Sequence, residues 1–366
     1  MGGVAKGTSL LSAAALLLGC STLFSTARNA TPAMRPAERI VPEHIILIAL
    51  DGVRRQDVFL GADPTRSSDT RSAEEIAPNL MALARRGIAL GAPDGPSLHA
   101  SGPNYVSLPG YLEMLTGRES RCQENDCQKL PPRTLADALA HGADAPGVEL
   151  AIISSWERLE HTVTKADGCS STALVTTGRN GGNAMSRTLS PETRKLIEDS
   201  RKGSAAPGHG DYRPDSETIS IAMSYLERER PRFMFVSLGD TDELAHHDDY
   251  DAYLGALSRA DRFIGDVMEL SKAWRAKGER TAIFVTTDHG RAKNFRDHGR
   301  EHPESAEVWL IAGGDGIAPQ PEPPFEPQRR LRDVAHTIAV LADIPFESED
   351  GSGSPMAEML AYDPSR

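Results

Sequence analysis

Residues His44 to Leu50 form an unbroken apolar run that stops at Asp51-Gly52. A run this short and this apolar fits a strand buried on both faces, and such a strand needs a sheet covered by helices on each side. Similar runs recur at Glu149–Ser154, Phe233–Leu238, Thr281–Thr286 and Glu307–Ala312, each ending in a polar or glycine-rich turn. Helical patterns lie between them, Pro78–Arg86 closed by Gly87 and Arg133–His141 closed by Gly142. The alternation predicts an α/β fold with a largely parallel central sheet and helices on both faces, its functional residues gathered at the carboxyl ends of the strands. We expect one folded domain over 41–366. A surface insertion is expected near 188–214, where the chain is polar, charged and broken by Gly and Pro.

The N-terminus reads differently. Lys6 precedes the apolar run Leu10–Leu18, which is far shorter than the roughly 20 residues that span a bilayer and has the form of a secretory signal. Leu17-Leu18-Gly19-Cys20 resembles a bacterial lipobox, with Leu18 where a small residue is usual. These features predict a signal peptide at 1–19, a lipid anchor at Cys20 as the sole membrane contact, and a tether at 20–40 rich in Ser, Thr, Ala, Arg and Pro. The expected location is the periplasm or the outer membrane. In an oxidising compartment Cys122, Cys127 and Cys169 are disulfide candidates; Cys122 with Cys127 is the most local pairing, and Cys169 can replace either. With 40 Lys and Arg against 52 Asp and Glu, a formal charge of −12, the chain is not expected to bind a nucleic acid polymer.

Three strand runs lead directly into acidic or histidine-rich segments: Leu50-Asp51-Gly52, Gly239 to His246, and Thr287-Asp288-His289-Gly290. A fourth cluster, Asp297 to His302, follows. One aspartate at a strand end is an ordinary turn residue, but three with histidine partners make a set of divalent-metal ligands. Asp242 and His246, four apart, share one face of a helix and can chelate one ion. Asp288 and His289 are adjacent, and meet at one ion only across a sharp turn; otherwise they serve two neighbouring ions. The candidates outnumber the four ligands of one zinc, so two metals are expected. Pro109 suits the first turn of a helix and places Ser107 near its positive end, where a hydroxyl beside a cation becomes a nucleophile.

These motifs, in order, resemble the alkaline phosphatase superfamily and, within it, type I phosphodiesterases and nucleotide pyrophosphatases. The resemblance implies an alkaline-phosphatase-like fold with a catalytic domain at 41–366, and a hydrolase of small-molecule phosphate esters that forms a covalent phosphoserine. It implies two divalent ions, zinc by expectation. One is bound by Asp51, the nucleophile Ser107, Asp288 and His289, and the other by Asp242, His246 and His298, with His302 competing for the last place. Asn125 corresponds to a phosphate-binding asparagine of the family, and a solvent-facing turn residue is its plain alternative. Sulfatases share the segment around Ser107, but Tyr111 stands where their arginine belongs. Metal-dependent phosphoglycerate mutases share the ligand logic without an export signal, and a non-catalytic metal-binding protein leaves Ser107 without a use. Arg54, Arg118 and Lys293 are candidate cations for a dianionic monoester, and monoester against diester preference stays open.

Overall fold

Strand β1, His44–Leu50, is buried at every position and sits in the middle of an eight-stranded sheet. The computed structural model describes residues 38–127, 133–142, 149–162, 173–319, 328–346 and 352–363. The other sheet strands are β2 (Ile88–Leu90), β3 (Leu150–Ser154), β4 (Ala173–Thr177), β5 (Gly181–Gly182), β6 (Phe233–Leu238), β7 (Thr281–Thr286) and β8 (Leu310–Gly314). Their order is β2-β8-β7-β1-β6-β3-β4-β5. The five from β7 to β4 run parallel, and β8, β2 and β5 are antiparallel to their neighbours. The expected α/β class with a largely parallel sheet is the class observed.

Alternate residues of β1 feed two cores. Ile45, Leu47 and Ala49 pack with helices α2 (Ser107–Thr116), α3 (Leu135–Gly142) and α8 (Asp333–Leu341). Ile46, Ile48 and Leu50 pack with α1 (Pro78–Arg86), α4 (Pro191–Ser200), α5 (Asp215–Glu229) and α7 (Tyr250–Arg275). This two-sided burial is the reason the strand sequence carries no alternation. A short helix, α6 (Asp240–His246), follows β6 directly. Because β7, β1 and β6 are adjacent and in register, Ala49 opposite Thr286 and Leu50 opposite Leu238, the segments after them emerge side by side.

Three expectations change. The run Glu307–Ala312 is not one strand of the sheet: Glu307–Val308 pairs with Leu98–His99 in a separate small sheet, and the main sheet resumes at Leu310. The buried Trp309 marks the break, its indole N–H donating to the Val53 carbonyl at 2.9 Å. The segment near 188–214 is a surface excursion only in part. It holds α4, capped by Ser190, and closes on the buried Tyr212 and Arg213, whose guanidinium bonds Ser154 O and Thr176 O across the ends of β3 and β4. Order also begins before residue 41, since Glu38–Arg39 pairs with Tyr362–Asp363.

Cys122 and Cys127 form a disulfide. The signal at 1–19, the anchor Cys20 and Cys169 lie outside the described residues. No described helix is long and apolar enough to cross a membrane.

Candidate active site

The turn after β1 is the pivot of the site. Gly52 has φ +60°, and a Cβ there would stand 2.6 Å from Asp242 Oδ1, so both conformation and space call for glycine. The Asp51 N–H donates to Leu238 O at 2.9 Å and the Gly52 N–H to Asp288 Oδ1 at 3.1 Å, which locks the three strand ends together. Ser107 is the first residue of α2, with Val106 at the cap, so the serine is not itself the capping residue. At Gly110 an added Cβ would come 2.3 Å from Asp288 O, showing how closely this helix lies on the end of β7.

A bend at Asp288 turns its side chain and that of His289 to the same side. His289 Nε2 lies 3.4 Å from Asp51 Oδ1, 3.4 Å from Asp288 Oδ2 and 3.3 Å from Ser107 Oγ. Ser107 Oγ is 3.4 Å from Asp51 Oδ1. The other ring nitrogen, Nδ1, donates to Gly290 O at 2.9 Å, which leaves a lone pair on Nε2. Burial lowers the His289 pKa to about 4, so the ring is neutral at neutral pH. Lone pairs of one imidazole and two carboxylates thus converge with the serine hydroxyl.

Beside this group, Asp242 and His246 share one face of α6, with His246 Nε2 3.1 Å from Asp242 Oδ2. His298 Nε2 reaches to 3.1 Å from His246 Nε2 and 3.8 Å from Asp242 Oδ1, while its Nδ1 bonds Tyr105 O at 2.9 Å. Burial and neighbouring His289 lower the His298 pKa to about 3. The rings of His289 and His298 stack with centroids 4.0 Å apart, so the two groups are contiguous. His302 caps the turn Pro303–Ala306 and stands apart from these ligands, whose tightest trios are Asp51-Asp288-His289 and Asp242-His289-His298, with His246 joined to the second through Asp242 and His298. Asp240 faces away, bonded to Tyr212 and Arg259.

The donor set fits divalent cations. Asp288 Oδ2 is buried and receives no hydrogen bond from the described residues. Burial and the charge of Asp242 push Asp51 up to about 7, and burial with Asp51 drives Asp288 well above the usual carboxylate range. Burial also raises Asp242, but Arg291, His246 and His298 together more than offset this and hold it well below that range. A cation between these oxygens and the neutral imidazoles relieves the crowding.

Two residues outside the expected set shape the site. Tyr111, in the sulfatase arginine position, is fully buried; its hydroxyl donates to Asp51 Oδ2 at 2.9 Å and accepts from Ser237 at 2.9 Å. Arg291, just past Asp288-His289-Gly290, bonds Asp242 and the Gly52 carbonyl. The candidate cations stand elsewhere: Arg54 is buried and paired twice with Asp57 at 2.7 Å, Lys293 is exposed, and neither they nor Arg118 line the cavity.

Ser107, Asp51, Asp242 and His246 open onto a cavity of about 700 Å³ whose wall includes Glu124, Asn125, Asp126, Trp156, Arg158, Tyr212 and Glu243. Asn125 Oδ1 accepts the Leu108 N–H at 2.9 Å, so its amide NH₂ is the group left to point elsewhere.

The sequence matches the Metalloenzyme superfamily over residues 149–344. It is 30% identical over 105 residues to GPI ethanolamine phosphate transferase 1 of Chaetomium globosum, a match that covers 28% of this chain and only 11% of that protein. In solved structures, alkaline phosphatase PafA is similar with a TM-score of 0.57 at 11% identity, covering 88% of this chain and 99% of that one. The phosphonate monoester hydrolase of Agrobacterium radiobacter gives 0.53 at 14% identity, covering 87% and 77%. A 2-O GAG sulfatase gives 0.55 at 13% identity, covering 87% and 73%. At these identities the likeness is one of fold.

Proposed function

The chain belongs to the Metalloenzyme superfamily and has an alkaline-phosphatase-like fold, and on that premise we propose that it hydrolyses small-molecule phosphate esters through a phosphoserine at Ser107. The observation that carries the reading is the position of Ser107 Oγ, at a helix N-terminus and the floor of a cavity, 3.3 Å from a neutral imidazole nitrogen and 3.4 Å from a buried carboxylate. Asp51, Ser107, Asp288 and His289 hold one divalent ion, and Asp242, His246 and His298 a second, with zinc the expected metal. When bound, the ions supply Lewis-acid stabilisation to the phosphoryl oxygens and acidify the serine hydroxyl. Ser107 forms the Oγ–P bond as the bond from phosphorus to the leaving alcohol breaks, and water then releases phosphate and restores the serine. The N-terminal end of α2 favours the negative phosphoryl group, and the Asn125 amide is placed to donate to it.

The cavity wall bears on the substrate. Glu124, Asp126, Glu157 and Glu243 line it with Arg158, so the lining opposes additional phosphates and suits a neutral or cationic leaving group. Tyr111 bears against a sulfatase, because the side chain in the arginine position bonds Asp51 and is buried. Export with a lipid anchor at Cys20 completes the reading.

The test is a rate comparison of aryl phosphate, aryl phosphodiester and aryl sulfate on zinc-loaded protein, with Ser107→Ala alongside. Ser107→Ala is expected to remove most turnover and keep most bound metal. Near wild-type turnover overturns the nucleophile, and a preference for sulfate overturns the phosphate assignment.

A further inference from the structure

Arg291 is buried, with no exposed side-chain surface, yet it lies outside both ligand groups. All five of its N–H donors are used. Nε donates to Gly52 O at 3.1 Å, Nη1 to Phe295 O at 3.1 Å and Arg296 O at 2.9 Å, and Nη2 to Asp242 O at 3.1 Å and to Asp242 Oδ1. A guanidinium with every donor committed to fixed carbonyls cannot swing out to a substrate, so its work is done on the protein.

The partners are the point. Gly52 adjoins Asp51, Asp242 is itself a candidate ligand, Phe295-Arg296 leads to His298, and Arg291 follows His289 by two residues. One planar group therefore spans four of the five segments that supply the two ligand groups, Ser107 being the exception. The fit is tight around it: a Cβ on Gly52 would also stand 3.0 Å from Arg291 Nη2. A lysine carries the charge but has three donors on a flexible stem and cannot bridge these carbonyls.

We propose that Arg291 is the positioning residue of the metal centre, a fixed guanidinium clamp that sets the Asp51 turn, Asp242 and the His298 loop in register and so builds the second cation position. The proposal rests on the two-metal reading above. Its effect falls on the position completed by Asp242, His246 and His298, because Arg291 bonds two of the segments that form it. Asp51 and His289 keep their other ties, through Leu238 O, Tyr111 and Gly290 O, and Asp288 keeps the Gly52 N–H.

The test is calorimetric titration of chelator-stripped protein with zinc, checked by elemental analysis, on wild type, Arg291→Lys and Arg291→Gln. Wild type is expected to take two equivalents. Both variants are expected to keep the first within about threefold and to weaken the second by about 10- to 100-fold, the scale of lost ligand support. A general loss of packing does not discriminate between two contiguous metal positions, so this selectivity marks a positioning role. Arg291→Gln removes the charge and keeps only two of the five donors, and decides the matter if Arg291→Lys does not fold. Unchanged or tighter second binding in a folded variant, or equal weakening of both equivalents, overturns the proposal. Wild-type protein that binds no zinc overturns the two-metal reading, and this proposal falls with it.

Discussion

Asp215 and Asp240 cap each other's helices. The Asp215 N–H, at the start of α5, donates to Asp240 Oδ1 at 3.1 Å, and the Asp240 N–H, at the start of α6, donates to Asp215 Oδ2 at 3.0 Å. Asp215 Oδ1 also accepts from Gly239 N at 2.8 Å and Ser155 Oγ at 2.6 Å. Two buried carboxylates this close repel, and burial with the charge of Asp240 pushes Asp215 up to about 8. The positive ends of two helices, the Tyr212 hydroxyl and Arg259 offset that repulsion. The arrangement fixes α6, and with it Asp242 and His246, against the end of β6.

Asp215→Ala strips partners from the buried N–H groups of Gly239 and Asp240. Each orphaned donor costs about 1–3 kcal/mol, so a loss of at least about 2 kcal/mol is expected in denaturant unfolding. A change within about 0.5 kcal/mol, the range of ordinary surface substitutions, removes the brace from the account.

Tyr111→Phe keeps the ring in the core and deletes the hydrogen bond to Asp51 Oδ2. Losing a partner that orients a carboxylate proposed as a metal ligand is expected to lower zinc affinity or turnover by about 10- to 100-fold while the fold persists. Wild-type values for both refute the role.

How much of this was legible beforehand depended on where the information lay. Asp51, Asp242, Asp288 and His289 stand at or just past the ends of apolar runs, so local pattern marks them as candidates, and the fold brings them together, with Asp242 and His246 on one helical face. The preference for His298 over His302 comes from the family resemblance; both lie in an irregular loop, and the fold packs His298 against His246 and His289. Arg291 and Tyr111 act through contacts to residues far away in sequence, and a sequence read locally has no term for such contacts. Arg54 misled for the same reason: Asp57 and Asp63, which neutralise it, are near in sequence, but the core that buries it under Tyr250 and Phe295 is not.

The pH dependence of metal binding follows from which groups must shed protons. His289 and His298 are neutral down to about pH 4 and 3 and do not compete with the metal near neutrality. The competitors are Asp51, at about 7, Asp288, which burial and Asp51 hold well above the usual carboxylate range, and His246, whose hydrogen bond to Asp242 raises it. Zinc affinity is expected to fall as pH drops through 7, with proton uptake by Asp51, Asp288 and His246. The sign for stability is the reverse in metal-free protein: the folded state holds a proton on Asp51 that the unfolded chain releases near pH 4, so stability declines as pH rises from about 4 to 7. Calorimetry in buffers of different ionisation enthalpy measures the proton release. Release confined to below about pH 5 would move the competing protons to His289 and His298.

Substitution of the two loop histidines tests the second metal position most directly. The His298 side chain is 7% exposed, with Nδ1 fixed by Tyr105 O and Nε2 aimed at His246 and Asp242, whereas His302 serves a backbone turn. His298→Ala is expected to lose one zinc equivalent and roughly a hundredfold in rate, the scale on which one electrostatic contact in such a site acts. His302→Ala is expected to keep both equivalents and stay within about tenfold. Elemental analysis paired with steady-state rates reads both effects on one sample. The reverse order transfers the ligand to His302 and leaves the two-metal hydrolase standing, while two silent substitutions remove the second position and with it that ion's share in stabilising the phosphoryl oxygens.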